Sequence, residues 1–457
     1  MGSRLYSAAL MALPTFLPAP RRMLALGWLG FMVYAFPGFM SFDSVYQLRQ
    51  ARWGYLTDSH PPFMAALWAV VEVFITGPIG MLVIQSAAFL AGAYLVLCQV
   101  MAPRRAALGA TLILWFPPIA SFMAVIWKDS QMAGFLLLGF GLMLQPTRRS
   151  RLLALAALLV ATLMRHNALT AVAPLVIVCW SWNPEHRGLR RYVVAVGAWV
   201  GVTLAAYGIS NLLVDEHRYP WHAGPALMDI AGTLRNEPVI ISDAQLHQML
   251  PGVVFRVENA HAYLRDSDLH GGYMKVLLAK ASRAIKPPTN AAERAAIARA
   301  WQTLVLGHPI AYANHRWGIT RRLLGFTPTA GTPIYNDFTD IQDLSASAEA
   351  IDHDAAPSRV QNVFRKKFQW LAKTIVFWLP LYLFIVVAMI PLAFKDRRIL
   401  ALLASGVASE AALAIFAPTT DWRYSSWFVV VSVVAFAWAT AVPWRRQPVI
   451  RAQPHTV

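Results

Sequence analysis

The chain has 457 residues, of which 57% are hydrophobic and 14% are charged. In an average soluble protein about a quarter of the residues are charged, so this composition excludes an ordinary water-soluble protein. The net charge of +17 does not indicate a nucleic-acid partner, because the sequence contains no recognisable basic and aromatic binding module. Arginines at the ends of apolar segments instead orient a membrane protein.

Apolar segments of about 15 to 25 residues follow one another, which is the length an α-helix needs to cross about 30 Å of hydrocarbon. Arg21 and Arg22 precede the first of them, which is interpreted as a retained signal anchor because no clean cleavage site is present. The sequence therefore predicts an all-α polytopic membrane protein with about ten transmembrane helices. The predicted spans are Met23–Met40, Ile79–Val100, Ala107–Ile126, Ser130–Leu144, Leu152–Met164, Ala168–Trp182, Tyr192–Leu213, Thr374–Ala393, Ile399–Ala417 and Ser425–Val442.

The basic residues predict the orientation of these spans. With the N-terminus in the cytoplasm every short inside loop is basic, as the positive-inside rule requires. This favours a multi-pass protein of the bacterial cytoplasmic (inner) membrane with both termini in the cytoplasm. The inside loops hold Arg104 and Arg105; Arg148, Arg149 and Arg151; Arg187, Arg190 and Arg191; Lys395, Arg397 and Arg398; and Arg445 and Arg446.

The predicted number of spans depends on two segments. Pro62–Thr76 is predicted to be a juxtamembrane or re-entrant helix of the first outer loop, because a span there would move Arg104 to the wrong side. The residues Leu152–Trp182 form either two spans or one long helix interrupted at Arg165. A single span would bury that charge at a cost of roughly 2.5 kcal/mol or more, so two spans are predicted.

The polar regions divide the chain into three parts. Residues 1–213 form an N-terminal transmembrane catalytic core with its first outer loop at 41–78, residues 214–372 form a periplasmic domain that is mixed or mainly helical, and residues 373–457 hold the C-terminal transmembrane helices. Within the middle part, Ala291–Leu306 is predicted to be an amphipathic helix and Ser345–Pro357 a surface loop.

Ionisable residues gather at the outer junctions. Charged side chains at membrane borders are costly to place, so several such junctions on one face indicate a shared polar site. The candidate catalytic residues are Asp43 and Asp58. The candidate substrate-binding residues are Gln47, His60, Lys128, Asp129, Arg165, His166, Asn167, Asp229, Asp421, Arg423 and Tyr424.

This mixture fits glycosyl transfer from a phosphate-linked sugar. The reaction needs a carboxylate that takes the proton of the attacking hydroxyl and cations that stabilise the departing phosphate. Asp43 or Asp58 is expected to supply the carboxylate. The sequence contains no phosphate-binding P-loop and no dinucleotide-binding glycine motif, so a lipid-carried donor reaching the site sideways from the bilayer is favoured over a nucleotide donor.

At these positions the sequence resembles the membrane glycosyltransferases of the C fold (GT-C), in particular the bacterial multi-span branch that uses polyprenyl-phosphate sugars. The motifs are the aspartate after the first span, D-x-H-P-P, W-K-D, R-H-N and D-x-R-Y, and they begin at Asp43, Asp58, Trp127, Arg165 and Asp421. The resemblance covers the region up to about residue 230 best and the last spans more loosely.

The resemblance implies that Asp43 is the catalytic base and that basic residues of later outer loops hold the lipid phosphate, here Lys128, Arg165 and Arg423. Some family members carry two adjacent acids after the first span, whereas Ser44 follows Asp43 here. A two-acid or metal-assisted version would therefore need Asp58 as the second acid. No cofactor is required on this reading, a divalent cation is left open, and no metal ligands are assigned.

Structural duties are the alternatives for these residues. Asp43, beside Ser41 and Ser44, could cap a juxtamembrane helix, which contributes about 1 kcal/mol. Lys128 and Arg165 could extend their charged groups to the interface from buried stems. His60 could be a turn residue, a metal ligand or a sugar contact, and a single histidine seldom makes a metal site.

The expected function is transfer of a hexose or pentose from a polyprenyl-phosphate donor to a cell-envelope glycan or lipid acceptor on the outer face. The partners are then the donor, the acceptor and membrane lipid, without nucleic acid. One alternative is a transporter or flippase of a lipid-linked or anionic substrate, which would show repeated halves and interrupted helices at the midplane. Another is an O-antigen polymerase or ligase, which joins a whole chain instead of a single sugar.

Overall fold

A computed structural model describes residues 18–180, 188–237, 241–252, 288–326, 358–417 and 420–441. The described part is helical, and its only strand-like pairings are isolated bridges between Phe39 and Val125 and between Thr57 and Glu216. The predicted surface loop Ser345–Pro357 lies outside the described residues. The helices are α1 Pro20–Ala35, α2 Phe42–Trp53, α3 Phe63–Glu72, α4 Ile79–Leu97, α5 Pro103–Leu114, α6 Pro117–Met123, α7 Lys128–Met143, α8 Arg148–Met164, α9 Ala168–Cys179, α10 Leu189–Leu213, α11 Pro220–Ala223, α12 Pro225–Asn236, α13 Asp243–Met249, α14 Ala291–Gly307, α15 Pro309–Leu323, α16 Arg359–Leu371, α17 Leu379–Ala393, α18 Arg397–Phe416 and α19 Ser426–Ala441.

Four of the described helices are long and apolar enough to cross a membrane. They are α4, α10, α18 and α19 together with the 3-10 turn Trp422–Ser425 that precedes it. A fifth crossing results if α5 and α6 are counted as one broken span. The structure therefore supports a helical membrane protein, whereas the predicted count of ten spans is not confirmed by helix length. Helices α1 and α7 have 16 residues each, α8 has 17, α17 has 15 and α9 has 12.

The predicted span Ala107–Ile126 is not one straight helix. Helix α5 ends at Leu114, α6 begins at Pro117, and the two axes differ by 70°. Two consecutive prolines, Pro117 and Pro118, explain the break, because proline lacks the amide hydrogen for a helix and disfavours helical backbone in the residue before it.

The segment Leu152–Trp182 forms two helices, as predicted. Helix α8 ends at Met164, α9 begins at Ala168, and Arg165 has extended backbone angles. The predicted re-entrant segment contains α3, and the predicted amphipathic helix Ala291–Leu306 is confirmed as α14. The break at Arg165 and the helix α14 are thus found close to their predicted positions.

Helices α4 and α7 form the centre of the membrane part. A Cβ atom on Gly92 of α4 would lie 2.4 Å from the Leu137 backbone of α7, and one on Gly134 of α7 would lie 2.8 Å from the carbonyl oxygen of Gln85. Small residues permit such close helix contacts, which replace the hydrophobic driving force that is absent between helices in lipid. Substitution of either glycine would push the two helices apart.

Two buried glutamines hold the turn between α6 and α7. The side-chain amide of Gln85 donates to the carbonyls of Met123 and Val125 at 2.7 and 2.9 Å. The amide of Gln131 donates to the side-chain oxygen of Gln85 at 3.0 Å. The backbone carbonyls left free at the end of α6 therefore have partners inside an apolar bundle, where unpaired ones are costly. This arrangement fixes the segment directly before α7.

Helices α12, α13 and α14 form a second hydrophobic cluster. Helices α12 and α14 contribute buried residues such as Leu227, Ile230 and Ile297 to it. The side chain of Arg316 on α15 donates to the Ala417 carbonyl at the end of α18 at 2.8 Å. Because Ala417 lies shortly before the D-x-R-Y motif, this contact connects the polar part of the chain to that motif.

The R-H-N and D-x-R-Y motifs and the arginines of the predicted inside loops lie at opposite ends of two apolar helices. Arg165 precedes α9, whereas the Arg191 side chain donates to carbonyls at the other end of that helix, including Trp180 at 2.7 Å. Arg423 precedes α19, whereas Arg398 lies 4.8 Å from the ring of Trp438 towards the other end. Each of these two helices therefore has a residue of the D-x-R-Y or R-H-N motif at one end and an arginine of a predicted inside loop near the other.

Candidate active site

A short pairing between two extended segments brings α2 and α7 together. The Phe39 N–H donates to the Ala124 carbonyl, and the Ile126 N–H donates to the Phe39 carbonyl, both at 2.9 Å. The Ser44 hydroxyl donates to the Ile126 carbonyl at 2.7 Å. The first turns of α2 and α7 are therefore neighbours, which places Asp43 and Lys128 on one side of the bundle.

Asp43 lies in the first turn of α2, but its carboxylate does not cap that helix. The backbone N–H of Ser41 donates to the Ser44 hydroxyl at 3.1 Å, and the Trp127 indole donates to the Ser41 hydroxyl at 2.6 Å. The serines thus close the helix terminus, and the Asp43 oxygens instead face Arg423 at 2.8 Å and His60 at 3.7 Å.

Arg423 lies between two carboxylates. Its guanidinium is 2.8 Å from Asp43 and 2.8 Å from Asp421, and its backbone N–H donates to Asp421 at 3.1 Å. The guanidinium also lies 5.0 Å from the centre of the Trp127 ring. Asp421 and Trp127 therefore hold the orientation of Arg423 while its remaining face points at Asp43.

His60 connects Asp43 with Lys128. The Lys128 ammonium lies 2.6 Å from Nδ1 of His60, and Nε2 of the same ring is the atom that faces Asp43. An ammonium group can donate but cannot accept, so Nδ1 is the acceptor and the proton of the neutral ring is assigned to Nε2. The five residues Asp43, His60, Lys128, Asp421 and Arg423 are called the polar cluster below.

The pKa values in the polar cluster follow from burial and charge. Burial alone would raise the pKa of Asp43, but the charges of Arg423 and Lys128 outweigh it and hold this pKa well below its usual range. Burial, assisted by Lys128, lowers the pKa of His60 to about 3. Burial also lowers the pKa of Lys128, which precedes the predicted span, to about 7, although Asp43 opposes this shift. The imidazole is therefore neutral, and the lysine titrates near neutrality.

Arg165 forms a second group beside the polar cluster. Its guanidinium pairs with the fully buried Asp129 and donates a hydrogen bond to the Asn167 side-chain oxygen at 3.1 Å. It also lies 4.6 Å from the centre of the Tyr424 ring. Arg423 approaches the same ring to 5.5 Å. Tyr424 therefore separates the two arginines and fixes their spacing.

Two predicted site residues pair elsewhere. Asp58 contacts His217 at 3.2 Å and accepts a hydrogen bond from the Arg218 backbone N–H, which fastens the first outer loop to the segment after α10. Asp229 is buried between Arg316 and Trp301, with the indole nitrogen at 3.0 Å. The partners of Asp58 and Asp229 therefore belong to the region after α10 and not to the polar cluster.

His166 contacts α10, and Gln47 is a buried residue of α2. The His166 ring contacts the Ser210 hydroxyl at 3.1 Å and lies 4.9 Å from the Tyr207 ring, both on α10. Gln47 is buried on α2, and its side-chain oxygen has no partner among the described residues. The contacts of His166 indicate a packing position between α9 and α10.

Ser41 and Trp127 were not among the predicted site residues. Trp127 reads in the sequence as a residue of the interfacial aromatic belt, yet in the structure it contacts both Ser41 and Arg423. The available signal was its position directly before Lys128 in the W-K-D motif. A tryptophan next to two ionisable residues at a helix start is a candidate for cation binding.

Within the described ranges, no group of three or more His, Cys, Asp or Glu side chains is placed to hold a metal ion. The arrangement offers a carboxylate with an adjacent neutral imidazole, with Lys128 and Arg423 beside them and Arg165 on the other side of Tyr424. Such a set can accept a proton and stabilise an anion.

No family model, curated protein or solved structure matches the chain.

Proposed function

We propose that the protein is an integral membrane glycosyltransferase of the GT-C type, which transfers a sugar from a polyprenyl-phosphate donor to an envelope acceptor on the outer face of the bacterial inner membrane. The observation that carries the proposal is the contact of Asp43 with Arg423 and, through His60, with Lys128. A candidate base and candidate phosphate-binding cations from distant parts of the chain therefore share one site.

In the proposed reaction the acceptor hydroxyl attacks the anomeric carbon of the donor sugar. The bond between that carbon and the phosphate oxygen breaks, and its electron pair leaves with the polyprenyl phosphate. Asp43 takes the hydroxyl proton, while Lys128 and Arg423 stabilise the charge on the departing phosphate. This division of roles follows the general requirement for a base and an electrostatic stabiliser in group transfer.

The low pKa of Asp43 gives Arg423 a further role in this proposal. While Arg423 pairs with Asp43, the carboxylate is a weak base. A donor phosphate competes for the guanidinium, and a shift of Arg423 towards the phosphate raises the pKa of Asp43. Donor binding thereby activates the base. Lys128 holds the His60 ring so that its Nε2, which carries the ring proton, faces Asp43.

The membrane arrangement belongs to the same proposal. Ten crossings place the polar cluster outside and the arginine-rich loops inside, as the positive-inside rule favours. The shorter apolar helices α9 and α17 add to the longer candidates in this count. The break at residues 165–167 between α8 and α9 supports an outer junction there, because Arg165 then needs no position at the bilayer centre.

The test is transfer by the purified, reconstituted protein from a panel of radiolabelled polyprenyl-phosphate hexoses and pentoses to an envelope lipid extract. The native sequence is expected to release polyprenyl phosphate and to label an acceptor by one sugar. Asp43→Asn is expected to keep the protein folded and to abolish transfer. Label transfer at the native rate by Asp43→Asn would contradict the assignment of the base, and transfer of a whole oligosaccharide would identify a polymerase or ligase instead.

A further inference from the structure

Helix α16 presents three chemically different faces. The first packs on the protein: the Gln361 side-chain amide donates to the Phe36 carbonyl, and Phe364 and Phe368 lie 4.9 and 5.7 Å from the Tyr34 ring. Spacings of three and four residues put these side chains on one side of a helix. This face fixes α16 against the end of α1.

The second face of α16 is exposed and mainly apolar, with Lys367 as an exposed cation between Val360 and Val363 around the helix axis. Val360, Val363 and Trp370 are 41%, 52% and 67% exposed, and their spacings of three and seven place them along one line of the helix. Water is an unfavourable neighbour for such a line of side chains. Tryptophan in particular is enriched where hydrocarbon meets lipid headgroups.

The third face is cationic. Arg359, Lys366 and Lys373 follow one another at intervals of seven residues, or about two helical turns, and all three are exposed. Seven residues advance a helix by slightly less than two full turns, so these side chains form a line directly beside the apolar one. Lys373 lies just beyond the last helical residue. An apolar line that borders a basic line is the pattern of a helix lying in a membrane interface.

The position of α16 agrees with this pattern. The helix is followed by the short turn Ile375–Phe377 and then by α17, whose Phe384 and Val387 are 69% and 55% exposed apolar residues. Helix α16 thus lies where the exposed apolar surface of α17 begins. On its other side it contacts Phe36, which precedes Asp43 in the chain.

The basic line needs an explanation other than membrane orientation. Orientation signals are expected in the inside loops, whereas α16 lies beside the end of α1 that leads to the polar cluster. We propose that α16 is an interfacial helix that binds the phosphates of anionic phospholipid headgroups through Arg359, Lys366 and Lys373, with Val363 and Trp370 inserted among the upper acyl chains. This site is separate from the polar cluster and does not depend on sugar transfer.

The amount of binding follows from general membrane electrostatics. Each lysine or arginine near an anionic surface raises the affinity for that surface roughly fivefold. Arg359, Lys366 and Lys373 together are therefore expected to raise the affinity for anionic lipid about a hundredfold. Anionic lipid should therefore be enriched next to α16 even where it is a minor component of the bilayer. A neutral lipid should show no such enrichment.

The experiment measures lipid contact at one position. The full chain, with Cys98 and Cys179 replaced by alanine and Val363→Cys carrying a fluorophore, is reconstituted in phosphatidylcholine that contains a minor fraction of phosphatidylglycerol. One of the two lipids is brominated in each sample, so that quenching reports which lipid is adjacent. A fluorophore at Leu204→Cys, on the exposed apolar side of α10, is the matched control.

At position 363, quenching by brominated phosphatidylglycerol is expected to exceed its mole fraction several-fold, while at position 204 it should follow the mole fraction. Combining Arg359→Gln, Lys366→Gln and Lys373→Gln should remove most of the excess at 363, since Lys367 is then the remaining exposed cation of α16, and should leave quenching by brominated phosphatidylcholine in place. Proportional quenching in the native sequence, an unchanged excess in the triple variant, or no quenching by either lipid would each overturn the proposal.

Discussion

Asp43 and Arg423 form an ion pair at 2.8 Å although one follows the first apolar helix and the other precedes the last described one. Burial raises the pKa of the Asp43 carboxylate, but the charges of Arg423 and Lys128 lower it further than burial raises it. The pair therefore joins the two ends of the described chain at the point where the proposed chemistry takes place.

Loss of Arg423 is expected to reduce turnover strongly. Arg423→Met removes the cation between Asp43 and Asp421, and deletion of one such stabilising donor commonly costs about 10²- to 10³-fold in rate. Arg423→Lys should recover little, because an ammonium lacks the planar fork that contacts two carboxylates at once. Transfer is measured at saturating donor, with folding checked by thermal unfolding. Near-native turnover in Arg423→Met would show that the arginine takes no part in the reaction.

Lys128 predicts a pH dependence of donor binding. Its pKa of about 7 means that it is charged below that pH and neutral above it, and a phosphodiester binds the charged form. Affinity should therefore fall by up to about tenfold per pH unit as pH rises above about 7. The charged groups that face Lys128 are Asp43, Arg165 and Arg423, which remain ionised over this range, and His60, which remains neutral.

Lys128→Arg is the matched variant for this test, because arginine remains protonated throughout. Binding of a non-transferable polyprenyl phosphodiester is measured by calorimetry between about pH 6 and pH 9, a range that contains the shifted pKa but not the usual lysine value. The arginine variant should bind with nearly constant affinity. A flat profile for the native sequence would mean that Lys128 does not contact the phosphate.

Asp58 and Asp43 are expected to behave differently on substitution. Asp58 contacts His217 and the backbone of Arg218, so Asp58→Asn should loosen an exposed connection and reduce turnover by less than about tenfold, whereas loss of a general base costs about 10²- to 10⁴-fold. The two variants are compared in the same transfer assay per folded molecule. Equal, severe losses would assign Asp58 to the chemistry and restore the two-acid interpretation.

The sequence predicted one shared site for the charged motifs, from the distribution of arginines and the length of apolar segments, but Asp58 and Asp229 pair elsewhere. Asp43, Lys128 and Arg423 are close in the structure as expected. The individual pairings were not predictable in the same way. Asp229 with Arg316, for example, depends on how α12 and α15 dock, and no local periodicity encodes the docking of two helices that are distant in sequence.

The same distinction between local and distant interactions applies to the fold. Pro117 and Pro118 act on their own neighbourhood, so the break between α5 and α6 was open to prediction from P-P in the sequence, although the single span Ala107–Ile126 overlooked it. The exposed and buried faces of α16 were readable from spacing, but its contact with Phe36 was not. Local backbone preferences are encoded locally, whereas contacts between distant segments depend on the whole packed structure.

The pair of Asp129 and Arg165 makes a prediction about stability. Asp129 is fully buried and Arg165 is 13% exposed, and removal of one partner from a buried ion pair leaves an uncompensated charge that typically costs about 3–5 kcal/mol. Asp129→Ala should therefore lower the thermal unfolding temperature clearly. Glu216→Ala, which breaks the exposed pair with Arg218, is the matched control and should change stability by about 1 kcal/mol or less.

The double variant Asp129→Ala with Arg165→Met distinguishes the cost of an unpaired Arg165 charge from the cost of losing the other contacts of Asp129. If the cost of Asp129→Ala comes from the stranded guanidinium, then adding Arg165→Met removes that charge and should recover part of the lost stability. Donor binding should nevertheless remain weak in the double variant, because Arg165 is a proposed phosphate contact. If the two substitutions instead add without recovery, Asp129 stabilises the protein through contacts other than Arg165, and Arg165 needs no carboxylate to be held beside Tyr424.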